Sequence, residues 1–389
     1  MSGTIVRVAA RGDGVTADGR HAAFAAPGDT LNQNGSVTPG SHHQVPPCRH
    51  FPECGGCQLQ HLDDSSYAQF IVDRIARALA AHDLEADIRG PILSPPKTRR
   101  RATLHAEPGV QIGFSAEASH AVIDMRECHI LAPELFVLVA PLRKLLARLG
   151  LRRRCDVQMT LCDQGVDLLV GMRADGLTAA EAIIAFCQQH EVARFAIDEG
   201  LGPETRWEPE PVTVTLGGVP VPFPHGAFLQ ATADGEAALV AAVRQSLGDA
   251  RTVADLFAGL GTFALSLDAR VYAAEAARDA ILSLKGAAGG AGRQVFADHR
   301  DLYRRPLTLE ELGRFDAIVL DPPRAGARDQ TQALAAARTP VIAYVSCNPS
   351  SFSRDALMLC DGGYRLDWIQ PVGQFRWSTH VELAARFSR

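Results

Sequence analysis

Cys347 stands in VIAYVSCNPSS, directly after an apolar run that reads as a buried strand. Proline disfavours helical geometry in the residue before it, so Asn348-Pro349 fixes the thiol at a turn. A cysteine held there, at the ligand-binding end of a sheet, is a candidate nucleophile; a free cysteine is also at home as an inert core residue. FDAIVLDPPRAG has the same form. Asp321 ends its strand and Pro322-Pro323 stiffens the turn, so a second polar group faces the same cleft. VADLFAGLGTF runs a strand into Gly259-x-Gly261. Glycines there let a ligand approach the backbone, though tight turns use the same pair. RVYAAEA ends in Glu275, a carboxylate able to accept both ribose hydroxyls of an adenosine. No G-x-x-x-x-G-K-[ST] phosphate loop is present, and Ala264 takes the third glycine place of G-x-G-x-x-G, an allowed variant for a dinucleotide. S-adenosylmethionine suits this loop better, because its sulfonium needs no pyrophosphate cradle.

The second chemical cluster is PCRHFPECGGCQLQH, where Cys48, Cys54 and Cys57 follow a C-x5-C-x2-C spacing. Zinc sites, redox pairs and iron–sulfur ligand sets share this local pattern. A closed metal site needs a fourth ligand. Cys128, in MRECHIL, is available, and His50, His61 and His129 are rival zinc ligands. Spacing alone leaves zinc and an iron–sulfur cluster open. Gly55-Gly56 would let the backbone fold tightly between ligands. Cys155, Cys162, Cys187 and Cys360 have no motif around them and read as small core or surface residues.

The 389 residues exceed one ordinary core, so two or three domains are expected. Apolar residues make up 47% and charged residues 21%, as in soluble globular proteins. The first thirty residues lack an apolar signal core, so a cytoplasmic setting and reduced thiols are expected for the nine cysteines. Ile130 to Leu151 is the most apolar run, and Pro133, Glu134, Pro141, Arg143 and Lys144 interrupt it too often for a membrane span. A net charge of −5 counts mildly against a global nucleic-acid footprint. Local basic strips remain, at Lys97 with Arg99-Arg100-Arg101 and at Arg152-Arg153-Arg154.

The elements that must position these groups follow from periodicity. Residues 1-46 read as a short β segment and a polar linker from 32, with turns at Gly12-Asp13-Gly14 and Pro27-Gly28-Asp29. Residues 47-61 form the cysteine loop. Residues 62-89 hold a helix, capped by Ser65 or Ser66, with Tyr67, Ile71, Ile75 and Leu79 on one face; it is expected to pack on the catalytic domain. Residues 90-223 form a central α+β domain, with strands at VQIGFSA and DLLVGMR and a helix at PELFVLVAPLRKLLARL. In 224-389 short apolar strands alternate with helices, which predicts a doubly wound α/β sheet binding its ligand at the strands' carboxyl ends.

VADLFAGLGTF, VLDPPRAG, VSCNPSS and STHVE, in that order, resemble the RNA (uracil-5-)-methyltransferase family, and the cysteine loop is similar to its iron–sulfur branch, whose best-known members act on 23S rRNA. The resemblance runs from Pro47 to Phe387. It implies a class I S-adenosylmethionine-dependent methyltransferase fold with a Rossmann-like sheet, a TRAM-like N-terminal β segment and a central RNA-binding domain. It implies Cys347 as nucleophile and Glu382 as general base. It implies cofactor contacts from Gln230, Phe257, Thr262, Glu275, Asp301 and Asp321, with Asp298 a rival to Asp301. It implies a [4Fe–4S] cluster on Cys48, Cys54, Cys57 and Cys128, RNA contact by the Lys97 to Arg101 strip, and a monomer. Thr262 stands where relatives often have Asn. After PGDTL the chain shows no further clear strand, so a truncated or open barrel is expected.

The chemistry follows from uracil, whose C5 is a poor nucleophile. A thiolate adding to C6 makes C5 enolate-like and able to attack a methyl sulfonium, and a base must then remove the C5 proton. The expected function is therefore methylation of uridine C5 in RNA, with 23S rRNA as substrate and tRNA as the alternative. A competing reading of another class is an inactive, metal-dependent RNA-binding module.

Overall fold

The computed structural model describes residues 2–109 and 111–389. The chain divides into two compact units. The first holds the residues up to Phe70, Pro95–Val212 and Phe375–Thr379; the second holds Ile71–Ser94, Thr213–Gln374 and His380–Arg389.

The first unit contains two sheets. The N-terminal one has five strands in the order His21–Ala22, Gly14–Thr16, Gly3–Val8, Thr30–Leu31, Val37–Thr38. The last of these lies in the stretch expected to be linker. Asn34-Gly35 turns the chain there, with Gly35 at φ +83° and the Asn32 N–H donating to the Ser36 carbonyl at 2.8 Å. Asn-Gly is strong hairpin chemistry that outweighs the weak hydrophobic pattern of its flanks.

The second sheet has six strands, in the order Pro203–Trp207, Arg194–Asp198, Gly165–Val170, Cys155–Cys162, Arg101–Glu107, Gln111–Gly113. Arg101–Glu107 shows the alternation its sequence promised, with Ala102, Leu104 and Ala106 buried. Val110, first residue of the strand expected at VQIGFSA, lies outside the described residues. The expected long helix after Leu131 is two, Pro133–Phe136 and Val139–Arg148. Pro141 falls in the first turn of the second, where its missing N–H has no intrahelical partner to lose.

The helix Asp64–Ala80 matches expectation in extent, and Tyr67, Ile71, Ile75 and Leu79 are all buried. Its cap is Asp63, whose Oδ1 accepts from the Ser66 N–H at 2.8 Å, and not Ser65 or Ser66. A carboxylate outcompetes a hydroxyl at the positive end of a helix.

The second unit is built on one large sheet. From edge to edge it runs Val295–His299, Arg270–Glu275, Thr252–Leu256, Ala317–Leu320, Val341–Ser346, Glu382–Ser388, Arg365–Gly373, Asp87–Ile88, with Ile92–Leu93 also pairing to Arg365–Gly373. The first five strands are parallel; Glu382–Ser388 is antiparallel to both its neighbours. Ala317–Leu320 is buried throughout, as a strand covered on both faces must be. Helices Ala233–Leu247, Arg278–Gly290, Arg328–Ala336 and Pro349–Asp361 alternate with the strands, giving the expected doubly wound pattern. Among the described residues no helix is long and apolar enough to cross a membrane.

Candidate active site and cysteine pocket

Cys347 follows the strand Val341–Ser346 and precedes the helix Pro349–Asp361. Asn348 is the N-cap, extended at φ −143° and ψ 102°, and its side chain accepts from the Ser350 N–H at 3.1 Å. Pro349 then occupies the first helical position, where a fixed φ helps. The Asn348 amide also donates to the Arg324 carbonyl at 3.0 Å, and the Ser351 hydroxyl donates to the same oxygen at 3.0 Å. The thiol turn is thereby tied to the Asp321-Pro322-Pro323-Arg324 loop at the end of the neighbouring strand.

Register brings the third group in. Ser346 pairs with Leu383 across the antiparallel ladder, so the next lateral position sets Cys347 beside Glu382. Glu382 itself pairs with Val372 on its other side and is buried. Gln374 hydrogen-bonds the Glu382 carboxyl, donates to Gln230 Oε1 at 2.8 Å and accepts from the Ala231 N–H at 2.9 Å.

Charge in this cleft is crowded and mostly negative, with Arg324 the cation that acts on Cys347. Burial, with Asp321 beside it, pushes the Glu382 carboxyl up to about 8. Burial and Glu275 push Asp321 up to about 7. Burial and Asp321 push Asp255, in the strand Thr252–Leu256, up to about 8. One Asp255 oxygen accepts from the Ala264 N–H at 2.9 Å; the other is buried without a partner. The Cys347 thiol is held up at about 11 by burial and by Glu382 and Asp321. Such an array favours neutral forms when empty and suits a cationic ligand. A carboxyl poised near neutrality suits proton transfer. Asp255 and Gln374 were not singled out from sequence. A carboxylate inside an apolar strand was the available signal for Asp255; Gln374 had none.

The glycine loop has an unusual backbone. Phe257, Gly259 and Gly261 have φ of +65°, +55° and +94°. A side chain at Gly261 would run into Leu284, whereas one at Gly259 would meet nothing within 4 Å, so the loop presents open space there. A positive φ at a bulky Phe is strain that persists where surrounding structure demands it. The Phe257 ring lies 5.5 Å from that of Tyr303. Glu275 accepts from the Gly259 N–H at 2.9 Å and the Ala277 N–H at 2.6 Å, leaving further lone pairs on both oxygens. Thr262 is half-buried on the loop. Asp301 accepts from the Tyr303 N–H at 3.0 Å, while Asp298 accepts from the Tyr272 hydroxyl at 2.6 Å. The open space at Gly259, the Glu275 carboxylate beside it and the orphaned Asp255 oxygen fit an adenosine cofactor carrying positive charge.

In the first unit, Cys48, Cys54, Cys57 and Cys128 line one cavity together with His50 and His129. Gly55 and Gly56 are needed for the loop, since a side chain would sit 2.9 Å from the Ser115 carbonyl at Gly55 and 3.0 Å from the Phe114 ring at Gly56. Burial raises all four thiols, Cys54 to about 11 and Cys57 to about 12, and Cys128 raises the other three. His61 is buried against Phe24, Phe51 and His43. Among the described residues, no three His, Cys, Asp or Glu side chains converge as a single-ion site. The four thiols are thus brought round one space without meeting at a point.

Residues 293–389 match the family model described as tRNA (Uracil-5-)-methyltransferase. The chain is 50% identical to an uncharacterised RNA methyltransferase of Zymomonas mobilis over 99% of both chains. It is 32% identical to a 23S rRNA (uracil(1939)-C(5))-methyltransferase of Bordetella avium, over 90% of this chain and 80% of that one. A solved tRNA (uracil-54, C5)-methyltransferase of Pyrococcus abyssi, in complex with S-adenosyl-L-homocysteine, superposes with a TM-score of 0.77 at 22% identity, covering 100% of both chains. The fold is that of a class I S-adenosylmethionine-dependent methyltransferase.

Proposed function

The chain belongs to the RNA (uracil-5-)-methyltransferase family, and from that premise we propose that it methylates uridine C5 in RNA, with 23S rRNA as the substrate. The observation that carries the reading is the register that sets Cys347 beside Glu382, with Asp321 acting on both. Gln230, Phe257, Thr262, Glu275, Asp301 and Asp321 form the cofactor site in this reading. Bound there, S-adenosylmethionine supplies an electrophilic methyl and one positive charge.

Cys347 gives up its proton to solvent and its sulfur adds to uracil C6. The C5=C6 electron pair moves to C5, which takes the methyl as the methyl–sulfonium bond breaks. Glu382 removes the remaining C5 proton, the double bond re-forms and the S–C6 bond breaks, restoring the thiolate. A Glu382 carboxyl raised by burial is a stronger base than a solvated one. Asn348 and the proline turn fix the sulfur, so little reorganisation precedes attack.

Cys48, Cys54, Cys57 and Cys128 would hold a [4Fe–4S] cluster. Four thiols spread round a cavity suit a polynuclear group better than one zinc ion. Methyl transfer needs no electron, so the group would stabilise the first unit or dock RNA. A tRNA substrate is the second reading, favoured by the description of the matching family model. The test incubates anaerobically purified protein with labelled S-adenosylmethionine and unmodified 23S rRNA or tRNA, then identifies the labelled nucleoside. Label in 5-methyluridine from rRNA alone is expected. Label from tRNA alone overturns the substrate, and none from either overturns the reaction.

A further inference from the structure

Arg99 belongs to a basic run expected to contact RNA, and its side chain is partly buried within the first unit. Its N–H donates to the Ile130 carbonyl and its carbonyl accepts from the Ala132 N–H, both at 2.9 Å, bridging it to Leu131 just beyond Cys128. Its guanidinium lies 5.7 Å from the ring centre of Phe114 and 5.6 Å from that of Phe375. Phe114 is also a wall of the cysteine cavity. The Arg99 Nε donates to the Arg101 carbonyl at 3.0 Å, and among the described residues no carboxylate pairs with the side chain. The groups of potential negative charge that act on it are Cys57 and Cys128.

A guanidinium cannot shed its proton to escape burial, and a partly buried charge without a counter-charge gives up hydration that nothing replaces. Neutral thiols do not answer that need, whereas thiolates do. Four thiolates around a [4Fe–4S] core of charge +2 leave a net −2 on the group, and reduction by one electron makes it −3. A fixed cation alongside stabilises both states, and the reduced one more.

We propose that Arg99 is the built-in counter-charge of an anionic, thiolate-held metal group, and that it positions that group and sets its reduction potential. The inference rests on the iron–sulfur reading above. Its test compares wild type, Arg99→Leu, Arg99→Lys and the exposed-cation control Lys97→Ala, all purified anaerobically. Iron and sulfide content are measured first, then the potential by a redox titration followed by electron paramagnetic resonance. Expected is a lower potential in Arg99→Leu, with Arg99→Lys and Lys97→Ala close to wild type. Should Arg99→Leu fail to hold iron, retention in Arg99→Lys supports the charge role, and loss in both folded variants overturns it. Arg99→Leu with full iron and an unchanged potential also overturns it. Wild type without iron is a different failure and removes the cluster reading itself.

Discussion

Two regions of this molecule hold thiols whose acidity burial suppresses, and the balance of charge around them differs. Cys347 faces the carboxyls of Glu382 and Asp321. Cys57 and Cys128 face the guanidinium of Arg99. Burial makes every one of these sulfurs a poor acid, but Cys347 has two carboxyls against the one cation of Arg324, whereas Cys128 has Arg99 against the single carboxyl of Glu127. The first keeps its thiol protonated until something positive arrives. In the proposed reading, the contrast separates a nucleophilic sulfur, which forms and breaks a bond in each cycle, from sulfurs that hold a metal group.

The largest test of this contrast exchanges one sulfur from each side. Cys347→Ala is expected to abolish methyl transfer while S-adenosylmethionine binding and iron content stay at wild-type level. Cys128→Ala is expected to lose iron and lower the thermal stability of the first unit, leaving cofactor binding intact. Calorimetric titration and metal analysis read both arms, and matching phenotypes would erase the distinction.

Removing the proposed base comes next. Glu382→Gln should lower turnover by about 10²- to 10⁴-fold, and because the methylated adduct then keeps its C5 proton, a covalent protein–RNA species should build up on denaturing gels. A turnover near wild type would assign the proton to another group.

Thiol reactivity sharpens the comparison further. With Cys347 held at about 11, its alkylation should quicken about tenfold per pH unit between 7 and 10, followed by site-resolved mass spectrometry. Glu382 is neutral below about 8, so Glu382→Gln should leave the rate unchanged at pH 7 and raise it at pH 9.5, where a negative neighbour has been deleted. A flat profile would mean that the carboxyls do not act on the sulfur.

The smallest effect is on stability. The Glu382 carboxyl rises from 4.5 unfolded to about 8 folded, so the folded state keeps a proton that the unfolded state loses. That contribution is complete below about pH 4.5 and is lost as pH rises to about 8. Glu382→Gln has no such slope. Its melting temperature relative to wild type should therefore climb between pH 5 and pH 8.5, and a constant difference would contradict the shift.

Much of the cleft was legible in the sequence because its residues sit at strand ends, and strands announce themselves by short apolar runs. Cys347, Asp321 and Glu275 all stand at or just past the last residue of such a run. What the sequence withheld was register. Nothing in STHVE says that its strand slots in antiparallel beside VIAYVS, and only that pairing puts Glu382 next to the thiol. Asp255 was hidden for a similar reason, since burial of a strand carboxylate depends on helices packed on both faces. Arg99 looked fully solvated because a charge run usually is; its backbone bridges to Leu131 and its side chain is partly buried between Phe114 and Phe375. The short strand Val37–Thr38 was missed because two residues carry no periodicity.

The strand Glu382–Ser388 lies inside the sheet yet comes from the end of the described chain. Glu382 depends on two ladders at once, one to Val341–Ser346 and one to Arg365–Gly373, and a one-residue slip in either would turn its carboxyl to the other face of the sheet.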